Sequence, residues 1–321
     1  MKRPGRKLKV LVVGELNLDL ILDELAVFPE VKKEIIAQKM NLVMGSSSAI
    51  FACNLSTLGT DVTFLGKVGK DQFGKQVEES LKNKKVNTDR LIYSPTLKTG
   101  LTVAFSFKNE RAMVTYPGAM QELTEKDVPD QVLKDYDHLH VSSVFLQSSL
   151  RNGVAELFRR AKKLHLTTSL DTQWDPEEKW DCDWKKLLND TDIFLPNIDE
   201  MRAITGKKDA KSGINSLKEF SNTIVVKNGV KGCLAWDGGK FYMQPAFLNR
   251  KVMDTIGAGD SFNAGFIHAF LKNKTIEKCL ELGAICGAVN TTAHGGTAAF
   301  SSKKDFKNIA CTKFNYSIDD L

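Results

Sequence analysis

Two aspartates bracket a run of small residues in Asp254-Thr-Ile-Gly-Ala-Gly-Asp260. Gly257, Ala258 and Gly259 carry almost no side chain, so a phosphate could approach their backbone closely. The next segment, SFNAGFIHAFLK, reads as a helix, and amides that open a helix turn the positive end of its dipole toward an anion. Asp260 would then lie beside a phosphate, where it makes sense as the base that takes a proton from an attacking hydroxyl. The same run also reads as a tight turn with a helix cap. Three further polar clusters follow apolar runs: Asn17 with Asp19, Asn197 to Glu200, and Lys227 to Gly229. Ligands of open parallel sheets sit at the carboxyl ends of strands, so four such clusters point to one site. Asn197-Ile-Asp-Glu200 has two readings. It is either a helix start capped by Asn197 with Glu200 three residues on, or a pair of oxygen-bearing side chains near Mg²⁺ and its waters.

Other patterns carry less. Gly69-Lys-Asp-Gln-Phe-Gly74-Lys75 matches G-x-x-x-x-G-K, but Gln76 stands where a P-loop needs Ser or Thr for magnesium. Phe73 and Asp71 inside it suit a phosphate cradle badly. The five histidines have no HExxH spacing, and no GxSxG elbow occurs. His138 and His140 alternate along a strand and read as structural.

The elements that must position these clusters follow a strand–helix rhythm. KVLVVG reads as a buried strand ending at Gly14, followed by a polar turn through GELNLDLI. Residues 49–59 read as a helix, 62–69 as a strand, and FGKQVEESLKNKKV as an amphipathic helix. TGLTVAFSF (99–107) and RAMVTYPG (111–118) form a hairpin pattern that interrupts the rhythm. HLHVSS, TTSLDT, IFLPN, TIVVKNG, CLAWDGG and KFYMQ supply further strands, with helices between several of them and two long helices near the C-terminus. Alternating βαβα with buried strands predicts an α/β fold, a mostly parallel central sheet covered by helices on both faces. A small β-sheet lid would come from roughly 35–44 and 99–118. The organisation read is a basic flexible tail over 1–9 and a single domain over 10–321.

Composition excludes some partners. Net charge is +6, but Lys2, Arg3, Arg6, Lys7 and Lys9 carry five of the positive charges, leaving 40 basic against 39 acidic residues. A neutral body with a basic tail argues against nucleic acid as the main partner. VLVVG is too short for a signal-peptide core, and no apolar run approaches a membrane span. Six scattered cysteines read as small hydrophobes in a reducing compartment. The expectation is a cytoplasmic protein.

Taken together, these residues resemble the ribokinase-like, or PfkB-type, carbohydrate kinase family, over about residues 9 to 300. The most specific match is D-T-x-G-A-G-D followed by S-F-x-A-G-F, here Asp254 to Phe266. GELNLDLI, GKVGKDQFG (66–74), PGA (117–119), NIDE and VVKNGVKG follow the family's order and spacing. The resemblance implies a three-layer α/β/α sandwich and ATP-dependent phosphorylation of a primary hydroxyl of a small sugar. It implies Asp260 as base, Gly257, Ala258 and Gly259 as anion hole, and Asn197, Lys227 and Gly229 at ATP. It further implies Glu200 at Mg²⁺ through water, Asn17, Asp19, Gly45 and Ser46 at the sugar, and Asp254 with backbone around Gly295 at a monovalent cation such as K⁺. Lys227 stands where some members carry Thr. Met44-Gly45-Ser46-Ser47-Ser48-Ala49 departs from the family's G-G-x-x-x-N, with Ala49 in place of the Asn. An adenosine-type nucleoside kinase would share the chemistry. A phosphosugar kinase would need cations near the sugar, for which Arg111 is the nominee. A non-catalytic sugar-binding protein should have lost the base or the anion hole, and both are kept. An exposed lid-strand edge also implies a homodimer.

Overall fold

The unbroken apolar run KVLVV and the alternating run GLTVAFSF go to different sheets. The computed structural model describes residues 7–107 and 110–317, with backbone only at 110 and 111. Its strands are β1 (Lys9–Val13), β2 (Asn17–Asp23), β3 (Lys39–Met44), β4 (Asp61–Leu65), β5 (Lys67–Gly69), β6 (Ile92–Ser94) and β7 (Gly100–Phe107). They continue as β8 (Glu110–Tyr116), β9 (His138–Ser142), β10 (Thr167–Asp171), β11 (Ile193–Phe194), β12 (Thr223–Lys227), β13 (Cys233–Trp236) and β14 (Phe241–Gln244). The large sheet runs β14-β13-β12-β11-β10-β9-β1-β4, parallel from β12 to β4 and antiparallel at β13 and β14.

A parallel strand is buried on both faces, which explains the unbroken apolar run of β1. Its Val10 and Val12 enter one core with the helices Ser47–Thr57, Ala258–Leu271 and Ile276–Asn290. Its Leu11 and Val13 enter the opposite core with the helices Val154–Lys163, Trp184–Asn189, Ile198–Thr205 and Ala210–Leu217. All four side chains are fully buried, each contributing about 1.5–3 kcal/mol relative to exposure. The layers are therefore helix, sheet, helix.

The lid is a separate four-stranded sheet in the order β3-β2-β7-β8. β7 alternates between buried and half-buried residues along its length, as expected for a sheet with only one face on the body. The structure corrects the expected polar turn after β1. Asn17 and Asp19 lie on β2, an inner lid strand paired with β3 and β7. Asx residues favour turns locally, but a ladder on both sides of NLDLILD satisfies its backbone and overrides that preference. β1 begins at Lys9, where the tail was expected to end, and of the stretch 35–44 expected in the lid only β3 forms a strand, with β2 joining the lid before it. The expected 62–69 strand is two strands, β4 and β5, broken at Gly66. Residues 1–6, the tip of the lid hairpin and the Arg111 side chain lie outside the described residues.

β1 lies between β9 and β4, so the chain leaves β1 to one side first and returns to the other later. That reversal opens a crevice at the carboxyl ends of the strands, the usual place for a ligand in such sheets.

Candidate active site

The helix Ala258–Leu271 begins at this crevice. Its N-cap, Gly257, has φ 73°. A Cβ there would fall 2.6 Å from the Gly296 Cα, so both the left-handed backbone and the close loop contact require glycine. The Ala258 amide donates to Thr255 O at 3.2 Å and the Ser261 amide to Gly257 O at 2.8 Å. Among the described residues, the amides of Gly257, Gly259 and Asp260 meet no protein acceptor. The open donors thus include both glycines of the glycine–alanine–glycine run and extend to Asp260, while the Ala258 amide is engaged within the turn. Asp254 braces the turn from behind, its Oδ1 accepting from the Ile256 amide and its Oδ2 from the Gly295 amide, both at 3.0 Å.

Asp260 is buried in the first turn of the helix, with its carboxyl pushed well above the usual range by burial and then by the nearby Asp171 charge. Lys227, at the end of β12, places its ammonium 2.7 Å from Asp171 Oδ2 and 3.2 Å from Asn263 Oδ1. A Cβ on Gly259 would meet the same ammonium at 3.6 Å, so the cation faces the glycine turn. Burial alone would lower the Lys227 pKa, but Asp171 and Glu200 more than offset it and hold the ammonium charged.

The Asn197 cluster satisfies its helix-start reading. Asn197 Oδ1 accepts from the Asp199 and Glu200 amides at 2.8 and 2.9 Å, and Glu200 Oε2 accepts from the Asn197 amide at 2.9 Å. Glu200 Oε1 accepts from Asn197 Nδ2 at 2.5 Å. Each carboxylate oxygen keeps a lone pair, so the cap does not exclude a metal-bound water as a further donor. Burial, then Asp171, pushes the Glu200 carboxyl to about 7. Among the described residues no three or more His, Cys, Asp or Glu side chains converge on a metal-sized centre. A bridge between Asn197 and Lys227 sets these clusters side by side.

Gln173, Asn197, Glu200, Lys227, Gly229, Gly257, Ala258, Gly259 and Asp260 all border one cavity of about 550 Å³. Its far wall is apolar, with Phe247, Leu248, Val252 and Ala288, a surface suited to a flat ring. On the lid side, Asn17 Nδ2 donates to Asp19 Oδ1 at 2.9 Å and to Thr102 Oγ1 at 3.0 Å. A Cβ on Gly45 would strike the Asp19 carboxylate at 2.2 Å, so glycine lets that side chain stand there. The Ser46 hydroxyl donates to Glu15 O at 2.6 Å and accepts from the Ala49 amide at 3.0 Å. It caps the helix Ser47–Thr57, and its one proton is not available to a ligand.

Asp171, Gln173, Asn263 and Glu15 escaped the sequence reading. Asp171 and Glu15 had one signal, an acid at the carboxyl end of a strand, Asp171 closing β10 and Glu15 following β1. Glu15 is fully buried under Ser48, which offers its hydroxyl and, at 3.2 Å, its amide, and burial pushes its carboxyl up.

Residues 7–303 match the family model described as pfkB family carbohydrate kinase. An uncharacterized sugar kinase of Archaeoglobus fulgidus is 28% identical over 235 residues, covering 73% of this chain and 92% of its own. A 5-dehydro-2-deoxygluconokinase of Listeria monocytogenes is 23% identical over 319 residues, covering 95% and 97%. Arabidopsis thaliana ribokinase, solved with ribose and ATP, superposes with a TM-score of 0.79 at 20% identity over 94% of this chain and 98% of that one.

Proposed function

The chain belongs to the pfkB family of carbohydrate kinases, transferases that phosphorylate hydroxyl groups, and from that premise we propose that it moves the terminal phosphate of ATP to a primary hydroxyl of a small sugar of the ribose or fructose type. The observation that carries this reading is the meeting of a buried carboxylate, open helix amides and a lysine ammonium at one end of a single cavity. Asp260 takes the hydroxyl proton as the oxygen attacks in line, and the open amides of Gly257, Gly259 and Asp260 receive the charge on the transferring group. Gly257 and Ala258 shape that turn. Lys227 adds a cation on the phosphate side, and Gly229 lets the nucleotide lie close to the backbone. Mg²⁺, when bound with ATP, would supply charge neutralisation, and Asn197 and Glu200 would hold its waters.

Asn17 and Asp19 grip the sugar hydroxyls beside Gly45, while Ser46 holds the loop that presents them. The lid closes over the sugar to keep water from competing for the phosphate. K⁺ sits near Asp254. In support, the amide oxygens of Asn54 and Asn290 are buried without a partner among the described residues, while their nitrogens bind Gly296 O and Ile256 O. Two copies pair through the lid. The protein works in the cytoplasm, in keeping with six unpaired thiols. None of the described helices is long and apolar enough to cross a membrane.

A coupled ADP-release screen over pentoses, hexoses, keto-acids, phosphosugars and adenosine tests the reading. ADP release with a pentose or hexose is expected, and Asp260→Asn should cut its turnover by about 10²–10⁴ with ATP binding kept. Preference for adenosine would assign a nucleoside kinase, and near-parent turnover of Asp260→Asn would remove the base.

A further inference from the structure

Gln173 lies two residues beyond β10 with φ 56°, a left-handed conformation that strains a glutamine backbone. Both hydrogens of its side-chain amide are engaged. One goes to Asp260 Oδ1 at 3.0 Å and the other to Asp171 Oδ2 at 3.2 Å. Two carboxylates accept only from the NH₂ end, so the orientation of the amide is forced. Its backbone amide is also tied to Asp171, at 3.2 Å to Oδ1. Asp171 is fully buried, and its Oδ2 accepts in addition from Lys227 Nζ and Asn263 Nδ2. The base and the lysine thus hang from one carboxylate, and the link to the base is this single amide.

We propose that Gln173 is a positioning residue for the transfer, clamping the Asp260 carboxylate to the Asp171–Lys227 pair so that base and cation keep a fixed separation across the reacting phosphate. The proposal rests on the kinase reading above. It accounts for strain at a residue that borders the cavity, since a relaxed backbone at 173 would aim the amide elsewhere. It also assigns a chemical effect. Asp260 feels Glu15, Asp171 and Lys227, and Glu200 acts in turn on Asp171 and Lys227. Within this mostly acidic group the Gln173 amide is a neutral donor to the charged form of the base. Its removal leaves that form less favoured, so a higher pH is needed to ionise Asp260.

Gln173→Ala and the isosteric Gln173→Glu test the clamp, with thermal melts to verify folding. Gln173→Ala is expected to lower kcat by about 10–100-fold while KM for ATP stays within about twofold, as for misplacement of a reacting group. The acid limb of its kcat–pH profile should move to higher pH, and further still in Gln173→Glu, which replaces a donor with a charge. An unmoved acid limb in both variants would reduce Gln173 to a structural residue. A readout free of turnover is the ¹³C titration of the Asp260 carboxyl in parent and Gln173→Ala protein. An upward shift supports the clamp, and superimposable titrations overturn it. A parent protein that phosphorylates no acceptor while the shift appears would overturn the kinase reading instead and leave the clamp standing.

Discussion

Asp260 is ionised only at a cost to the fold. Its folded pKa lies above the ordinary carboxylate value, first because it is buried and then because Asp171 and Glu15 are near. Between the unfolded and folded pKa the native state holds a proton that the unfolded state has lost. Stability therefore falls as pH rises through that window, and the penalty is complete above the folded pKa. Asp260→Asn removes the penalty, so its melting temperature should exceed the parent's at pH 8, with the difference shrinking as pH falls toward 4. Calorimetry at both values checks this, and equal melting temperatures at pH 8 would contradict it. Gain of stability with loss of turnover is the usual mark of a group kept for chemistry. Lys227 differs: it is paired, and removing one member of a buried pair leaves the other charge uncompensated.

At the scale of elements, the helix Ala258–Leu271 can present free amides because something else holds its first turn. Asp254 does so by accepting from the Ile256 and Gly295 amides, which joins the loop before this helix to the loop after Ile276–Asn290. Asp254→Ala leaves those N–H groups without the carboxylate, a loss of about 1–3 kcal/mol. Chemical denaturation should show that loss, and KM for ATP should rise because the amides no longer converge. A variant with parent stability and parent KM would mean the turn holds itself. The start of the helix Ile198–Thr205 shows how one motif serves two ends: its capping box orients Glu200 at the cavity wall while closing the helix.

Over the whole molecule, the lid is the part whose surroundings are incomplete. Its edge strand β8 exposes Met113, Val114 and Tyr116, with Val114 65% exposed, and β3 exposes Met40. An apolar edge of this kind invites a second chain. The proposed dimer through the lid predicts that Val114→Asp sediments as a monomer where the parent sediments as a dimer. A monomeric parent at micromolar concentration would refute it. Pairing there would also stiffen β7 and β8 over the sugar side, so the variant's KM for sugar should rise more than its KM for ATP.

The reaction was legible in the chain because its parts are local. A cradle of small residues, an acid after it and a helix to aim the amides fall within one short stretch, and their chemistry depends on backbone and spacing. The parallel sheet was legible because unbroken apolar strands leave no solvent face. The lid role of Asn17 and Asp19 was not, since local turn preference was outweighed by ladders to β3 and β7, strands distant in sequence. Nor was the meeting of Asp171, Gln173 and Lys227 with Asp260, which come from three separate segments, the end of β10, the end of β12 and the start of the helix Ala258–Leu271. Spacing shows which groups are available, whereas the order of strands in the sheet decides which of them meet. Burial together with that meeting raises the pKa of Asp260, holds Lys227 charged and makes the clamp between them.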